Sequence, residues 1–227
     1  MIIMKVGNVG EGKTNAAVAS CVAKKSKMIT NMEIYNHPAY FLTRKDFIKE
    51  VDDPDKKDKK KQEINYDFWE KLKNKEKNFD VVLDEIHQIV SSSDFFSKDN
   101  KILRNWVSQV RKVLSGNKLH DLVGTLQRPR SLDKGWRDLV HEWILCKAEY
   151  LPLTTKTRMY NGKMLSMPIV IIKQFGFEEL NDLETYMQTG DKSILRNRSK
   201  QYRPIIANDQ YQYYNSFAFT RHGEDYL

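Results

Sequence analysis

The sequence predicts a three-layer α/β fold: a mainly parallel sheet carrying a β-rich or irregular C-terminal elaboration. Three observations support this. Short apolar runs alternate with segments of helical period along residues 1–150, which is the pattern of βαβ units. The first run, Ile2 to Val6, passes straight into the glycine-rich loop Gly7 to Thr14 and then the helix-forming Asn15 to Ala19. The third run, Asp80 to Glu85, closes on the paired carboxylates Asp84 and Glu85. Ligands of open α/β sheets bind beyond the C-terminal ends of the strands. Loop and carboxylates are therefore expected on one rim.

The elements follow in order. Ile2 to Val6 is the first strand and Met28 to Met32 the second. A Lys-rich insertion is expected over about residues 44–77. Within it, the mixed-charge run Val51 to Lys61 reads as a solvated loop, and Trp69 and Leu72 lie on a helical segment that docks it to the core. Asp80 to Glu85 is the third strand. Ile102, Leu103, Trp106, Val107, Val110, Val113 and Leu114 follow helical spacing within Ser92 to Gly116, where the glycine is a plausible stop. His120 to Leu126 is the fourth strand, Leu132 to Val140 a short helix and Trp143 to Ala148 the fifth strand. Beyond residue 150, Thr154 to Met159 and Met164 to Ile172 flank Asn161-Gly162, a strong hairpin signal. Glu178 to Met187 reads as a helix, and Arg196 to Leu227 is polar and Tyr-rich without clear period. The expected organisation is a core over 1–150 and an elaboration of the same domain over 151–227.

The chain has 227 residues, 40% of them hydrophobic, enough for one core. Its two cysteines, Cys21 and Cys146, sit in apolar segments and read as buried thiols, not a disulfide or metal site. No secretory signal precedes Gly7 and no apolar run approaches the length of a membrane span, so a cytoplasmic location is expected. A net charge of +8 favours a polyanionic partner such as nucleic acid.

Gly7-Asn8-Val9-Gly10-Glu11-Gly12-Lys13-Thr14 fits the phosphate-binding pattern G-x-x-x-x-G-K-[ST]. Glycines let successive backbone N–H groups converge on phosphate, and the following helix N-terminus adds its dipole. Gly7, Asn8, Gly10, Glu11, Gly12, Lys13, Thr14 and Asn15 are thus the candidate nucleotide-binding residues. Lys13 can reach the β- and γ-phosphates, and Thr14 can ligate Mg²⁺. Asp84 is the second candidate Mg²⁺ residue. Glu85 is placed to polarise an attacking water. Gln127, at the end of the fourth strand, falls near the γ-phosphate if that strand lies beside the first. ATP with Mg²⁺ is the expected substrate and cofactor pair. His87 reads more readily as structural than as a nucleotide contact. Trp106, Trp136 and Trp143 read as core or interface anchors.

The ordered segments Gly7 to Thr14, Val81 to His87, Ser108 to Lys112, Thr125 to Pro129 and Leu132 to Arg137 resemble the FtsK–HerA branch of P-loop ATPases, within the additional-strand, catalytic-glutamate (RecA-like) class. More narrowly, they are similar to zonula-occludens-toxin-like and viral genome-packaging ATPases. The likeness covers about residues 1–150. It implies a three-layer P-loop NTPase and an oligomeric ring, hexameric or pentameric, that hydrolyses ATP to translocate double-stranded DNA. It further implies a portal or capsid vertex as the docking partner of such a ring. The resemblance also implies an arginine finger from a neighbouring subunit, with Arg111 preferred and Arg128, Arg130 and Arg137 as competitors. With no membrane span, packaging is expected ahead of phage extrusion. A P-loop nucleotide or small-molecule kinase and an ATP-gated scaffold are the alternatives.

Overall fold

The computed structural model describes residues 1–52, 60–89, 98–109, 114, 120–151, 159–160, 163–164 and 169–214. Strand β1 (Ile2–Val6) runs through the middle of the main sheet and leads into helix α1 (Lys13–Lys24). Strands β2 (Lys27–Thr30) and β3 (Ala39–Phe41) follow, then α2 (Arg44–Phe47), β4 (Ile48–Asp52), β5 (Lys60–Ile64) and α3 (Tyr66–Lys75). Next come β6 (Phe79–Leu83), α4 (Lys98–Ser108), β7 (Leu122–Leu126), α5 (Lys134–Arg137) and the long β8 (Glu142–Leu151). The chain continues through β9 (Met159–Tyr160), β10 (Lys163–Met164), β11 (Ile169–Phe177), α6 (Leu180–Thr189), α7 (Lys192–Arg198), β12 (Lys200–Gln201) and β13 (Ile205–Ile206).

The described strands of the main sheet lie in the order β3-β2-β6-β7-β1-β8-β11-β12, with β13 also on β11. From β3 to β8 every neighbour is parallel. Strands β11, β12 and β13 add antiparallel pairing on the far side. One placement matters most for function. Strand β7 pairs with both β1 and β6, so it separates the loop-bearing strand from the carboxylate-bearing one.

Side-chain alternation along the strands builds the three layers. Phe79, Val81 and Leu83 of β6 and Trp143 and Leu145 of β8 share one core with Trp69, Trp106, Trp136 and Leu183 from α3, α4, α5 and α6. Val82 faces the other way, against Ala17, Val18 and Cys21 of α1, and Ile144 and Cys146 pack with Ala16 and Ile172. The small residues of α1 let it lie close on the sheet, while the opposite face is filled by rings. Phe47 sits 5.2 Å from Trp69 and 5.0 Å from Trp106 between centroids. Trp106 is 5.0 Å from Trp69 and 6.0 Å from Trp136. The docking role expected of Trp69 and Leu72 is present, both being buried.

Three expectations are corrected. The mixed-charge run is not simply a loop: Val51 and Asp52 belong to β4 and Lys60 and Lys61 to β5, paired antiparallel. The residues between them, 53–59, lie outside the described set. The helix expected over Leu132 to Val140 is limited to Lys134–Arg137, capped by Asp133 Oδ1, which accepts from Gly135 N at 2.8 Å. Helix α7 was not expected: none of its residues is fully buried, and only Ile194 and Leu195 pack against the core, too few to mark a helical period. Strands β9 and β10 pair antiparallel on either side of Asn161-Gly162, which itself lies outside the described residues, as do Val110, Val113 and Gly116.

Lys5 of β1 is buried and donates to Gln174 Oε1 of β11 at 2.8 Å, a tie reaching across β8. Burial lowers its pKa. Cys21 and Cys146 are buried and unpaired as disulfides. Burial, the largest cause in both, pushes the Cys21 thiol up to about 12 and Cys146 up to about 11. Since only the thiolate is nucleophilic, neither should react with Ellman's reagent at pH 8 in the native protein. Both should react once denaturant is added, which a thiol titration reads directly.

Candidate active site

The loop is shaped by close approach to β8. A Cβ on Gly7 would stand 2.7 Å from the Cys146 carbonyl oxygen, a backbone atom that cannot swing away. Gly12 caps α1 in the left-handed region, at φ 78° and ψ 22°, which suits glycine. Between them the chain turns, with Glu11 N donating to Asn8 O at 3.2 Å. Lys13 is buried, and its Nζ donates to the same Asn8 carbonyl at 3.0 Å, so the ammonium is folded back over the loop that its own backbone closes. Asn15 is buried in the first turn of α1, and its Oδ1 has no partner among the described residues. Beside the loop, a cleft of about 200 Å³ is lined by Gly7, Asn8 and Glu11 with Leu145, Lys147 and Tyr186. Lys147 Nζ donates to Tyr186 Oη at 2.5 Å.

The carboxylates stand just past the end of β6. Asp84 Oδ1 accepts from Thr14 Oγ1 at 2.8 Å and from Thr125 Oγ1 at 2.6 Å. Asn31, just beyond β2, clamps the Asp84 backbone twice. Its Oδ1 accepts from Asp84 N at 2.8 Å and its Nδ2 donates to Asp84 O at 3.0 Å. Residues from three elements, α1, β7 and the end of β2, therefore converge on the aspartate that follows β6. Glu85 turns out of the strand into the left-handed region, at φ 46° and ψ 48°. Its N–H donates to Thr125 Oγ1 at 2.9 Å. Burial raises the Glu85 pKa above the ordinary glutamate range, and the Asp84 charge adds to this. Lys13, His87 and a hydrogen bond from Gln127 work in the opposite direction. His87 Nδ1 lies 3.3 Å from Glu85 Oε2. The pair lacks hydrogen-bond geometry, so each atom is buried without a described partner.

The structure thus brings together Gly7, Asn8, Gly10, Glu11, Gly12, Lys13, Thr14 and Asn15 on the loop and Asp84, Glu85 and Gln127 on the adjoining strand ends. Gln127 reaches Glu85 because β7 pairs with β6, and β7 also lies beside β1, the order its expected position required. The Thr14 hydroxyl and Asp84 carboxylate form a hard-oxygen pair. Among the described residues no cluster of three or more His, Cys, Asp or Glu could hold a metal alone. Such a pair suits Mg²⁺, which takes one or two protein oxygens plus phosphate and water.

The chain is similar in fold to the N-terminal domain of zonular occludens toxin from Neisseria meningitidis. The TM-score is 0.50 with 17% identity, over 94% of this chain and 98% of that one. The genome packaging NTPase B204 from Sulfolobus turreted icosahedral virus 2, in complex with ATP-gammaS, matches with a TM-score of 0.43 and 13% identity, over 90% and 97% of the two chains. B204, the DNA-packaging ATPase from Sulfolobus turreted icosahedral virus, matches with a TM-score of 0.41 and 15% identity, over 92% and 93%. No protein-family model and no curated protein sequence matches the chain. The mainly parallel α/β fold and the likeness to zonula-occludens-toxin-like proteins, both expected from the sequence, are thus found in the structure.

Sequence reasoning gave no role to Thr125 or Asn31. Both are short polar residues at strand ends on the ligand-binding rim, and that position is the signal that could have found them. The arginines separate. Arg111 lies outside the described residues. Arg130 forms a two-pronged pair with Glu184 of α6, at 2.8 and 2.9 Å. Arg128 is exposed directly after Gln127. Arg137 Nε is buried without a described partner. Asp133, in the D-x-x-x-R segment, caps α5 and receives Arg104 at 3.1 and 2.8 Å, which is a structural task. Among the described residues no helix is long and apolar enough to cross a membrane.

Proposed function

We propose that this chain is an Mg²⁺-dependent ATPase of the FtsK–HerA type that translocates double-stranded DNA as an oligomeric ring for genome packaging. The observation that carries the reading is the Thr14–Asp84 contact at 2.8 Å, made across the intervening β7 with Glu85 beside it. A phosphate-binding loop, a metal-binding pair and a candidate base thereby share one rim.

In this reading the backbone N–H groups of Gly7 to Thr14 cradle the phosphates, and Lys13 exchanges its Asn8 carbonyl partner for phosphate oxygens. Thr14 and Asp84 hold Mg²⁺, which would offset charge on the phosphates. Glu85, free of a donor on Oε2, orients the attacking water and accepts its proton. Gln127 touches Glu85 and faces the γ-phosphate, so it can report hydrolysis to β7. Arg111 is proposed to complete the site of a neighbouring subunit.

The charge of +8 suits phosphate-backbone contacts without base readout. Binding of that kind weakens steeply with salt. Steady-state ATP hydrolysis is therefore expected to rise on adding double-stranded DNA at low salt, and the stimulation should fade at high salt. Hydrolysis indifferent to DNA at every salt concentration would remove the translocation part of the proposal.

A further inference from the structure

Of the nucleotide proposed above, the phosphates have assigned partners and the base has none. Asp84, Glu85 and Gln127 mark the γ-phosphate end, on the β6 and β7 side of β1. A nucleotide laid along Gly7 to Thr14 therefore carries its sugar and base to the opposite side, towards β8 and β11. Helix α1 sets the face, because its first turn packs with Ile144, Cys146 and Ile172. By alternation along β8, Ala148 and Tyr150 share that face.

Tyr150 stands on the last part of β8, where the strand outruns β1. Its hydroxyl donates to Gly10 O at 3.4 Å, while the residue is 61% exposed. Tyr211 approaches from beyond β13 and is 37% exposed. Burial, and then the neighbouring Tyr150, push its hydroxyl pKa up. The backbone that carries Tyr211 is pinned on both sides. Ala207 is buried against Ala16 and Ile172. Tyr213 O accepts from Tyr35 N at 2.6 Å, and Gln212 O accepts from Asn36 Nδ2 at 2.9 Å. Tyr214 is buried with Ala17, Val18 and Cys21 of α1. Residues 207–214 thus cross α1 as an anchored strap that carries Tyr211 on the α1 side of the sheet.

We propose that Tyr150 and Tyr211 form the platform for the base of the nucleotide whose phosphates lie on Gly7 to Thr14. The proposal rests on the ATP reading. Two aromatic side chains, one fixed to the loop and one to the strap, offer π-faces to a flat heterocycle. Base–aromatic stacking is strong enough to matter and tolerant of base identity.

The test compares Mg²⁺-ATP with Mg²⁺-tripolyphosphate, which has the phosphates and no base, by calorimetry on the full chain. Wild type is expected to bind ATP more tightly than tripolyphosphate. Tyr150→Ala and Tyr211→Ala should each weaken ATP binding by roughly 5- to 100-fold and leave tripolyphosphate binding unchanged. Tyr211→Phe, which keeps the ring, should retain wild-type affinity, and Tyr150→Phe, which keeps the ring but loses the bond to Gly10, should bind ATP more tightly than Tyr150→Ala. Three results would overturn the platform alone: wild type binding both ligands equally, alanine variants binding ATP as wild type does, or alanine variants losing both ligands in parallel. Wild type binding neither ligand would overturn the triphosphate reading and the platform with it.

Discussion

Glu85→Gln is expected to lower ATP turnover by about 10²- to 10⁴-fold while ATP affinity stays at the wild-type level. Glutamine keeps the shape of the side chain and removes the charge that a general base needs. The backbone at this position is fixed independently of the carboxylate, in the left-handed region with its N–H on Thr125. Thr125 also binds Asp84, and neither bond involves the Glu85 side chain. The variant therefore separates chemistry from site architecture. Nucleotide titration together with single-turnover phosphate release measures both quantities. A variant that hydrolyses ATP at the wild-type rate would end the base assignment. If the protein's biological task also survived the loss of turnover, an ATP-gated scaffold would become the better description.

Trp106→Ala is expected to cost about 3–5 kcal/mol of folding stability, a large share of the roughly 5–15 kcal/mol typical of a domain. Trp106 is fully buried, and its ring lies among Phe47, Trp69 and Trp136. It joins the segment after β3 to α3, α4 and α5 on one face of the sheet, so the cavity left by alanine has walls on several elements and cannot easily collapse. The indole N–H has no partner among the described residues, so packing is what Trp106 contributes. Trp106→Phe should accordingly cost much less than alanine. Guanidinium unfolding of the three proteins gives the comparison. Equal losses for Phe and Ala would show that the indole N–H has a partner that matters.

The site was legible wherever chemistry requires particular residues at fixed spacing. Gly7 to Thr14 between an apolar run and an Ala-rich helix could be placed on a strand–loop–helix unit before any fold was known. Asp84 and Glu85 could be placed at a strand end for the same reason. The position of Gln127 followed from one assumption about strand order, and β7 beside β1 satisfies it. The parts that escaped have physical explanations. Strands β4 and β5 have largely exposed or half-exposed residues, so no apolar alternation marks them. They carry cross-strand ion pairs instead, Lys49 with Glu63 at 3.6 Å and Lys60 with Glu50 at 3.8 Å. Thr125 and Asn31 act through hydrogen bonds to a residue more than 40 positions away in sequence, and local pattern cannot carry such a link. Tyr211 lies in a stretch without period, and only the crossing over α1 brings it near Tyr150.

The most direct test of the central claim is Mg²⁺-ATP binding and phosphate release by the wild-type chain, with Lys13→Ala as the companion. Wild type should bind ATP and release phosphate in a Mg²⁺-dependent manner. Lys13→Ala should lose about one to two orders of magnitude in affinity, the scale of a charge-assisted hydrogen bond removed from a buried site. A wild-type chain that binds no ATP, or a Lys13→Ala variant that binds and hydrolyses it as wild type does, would contradict the assignment of this rim as an ATPase site.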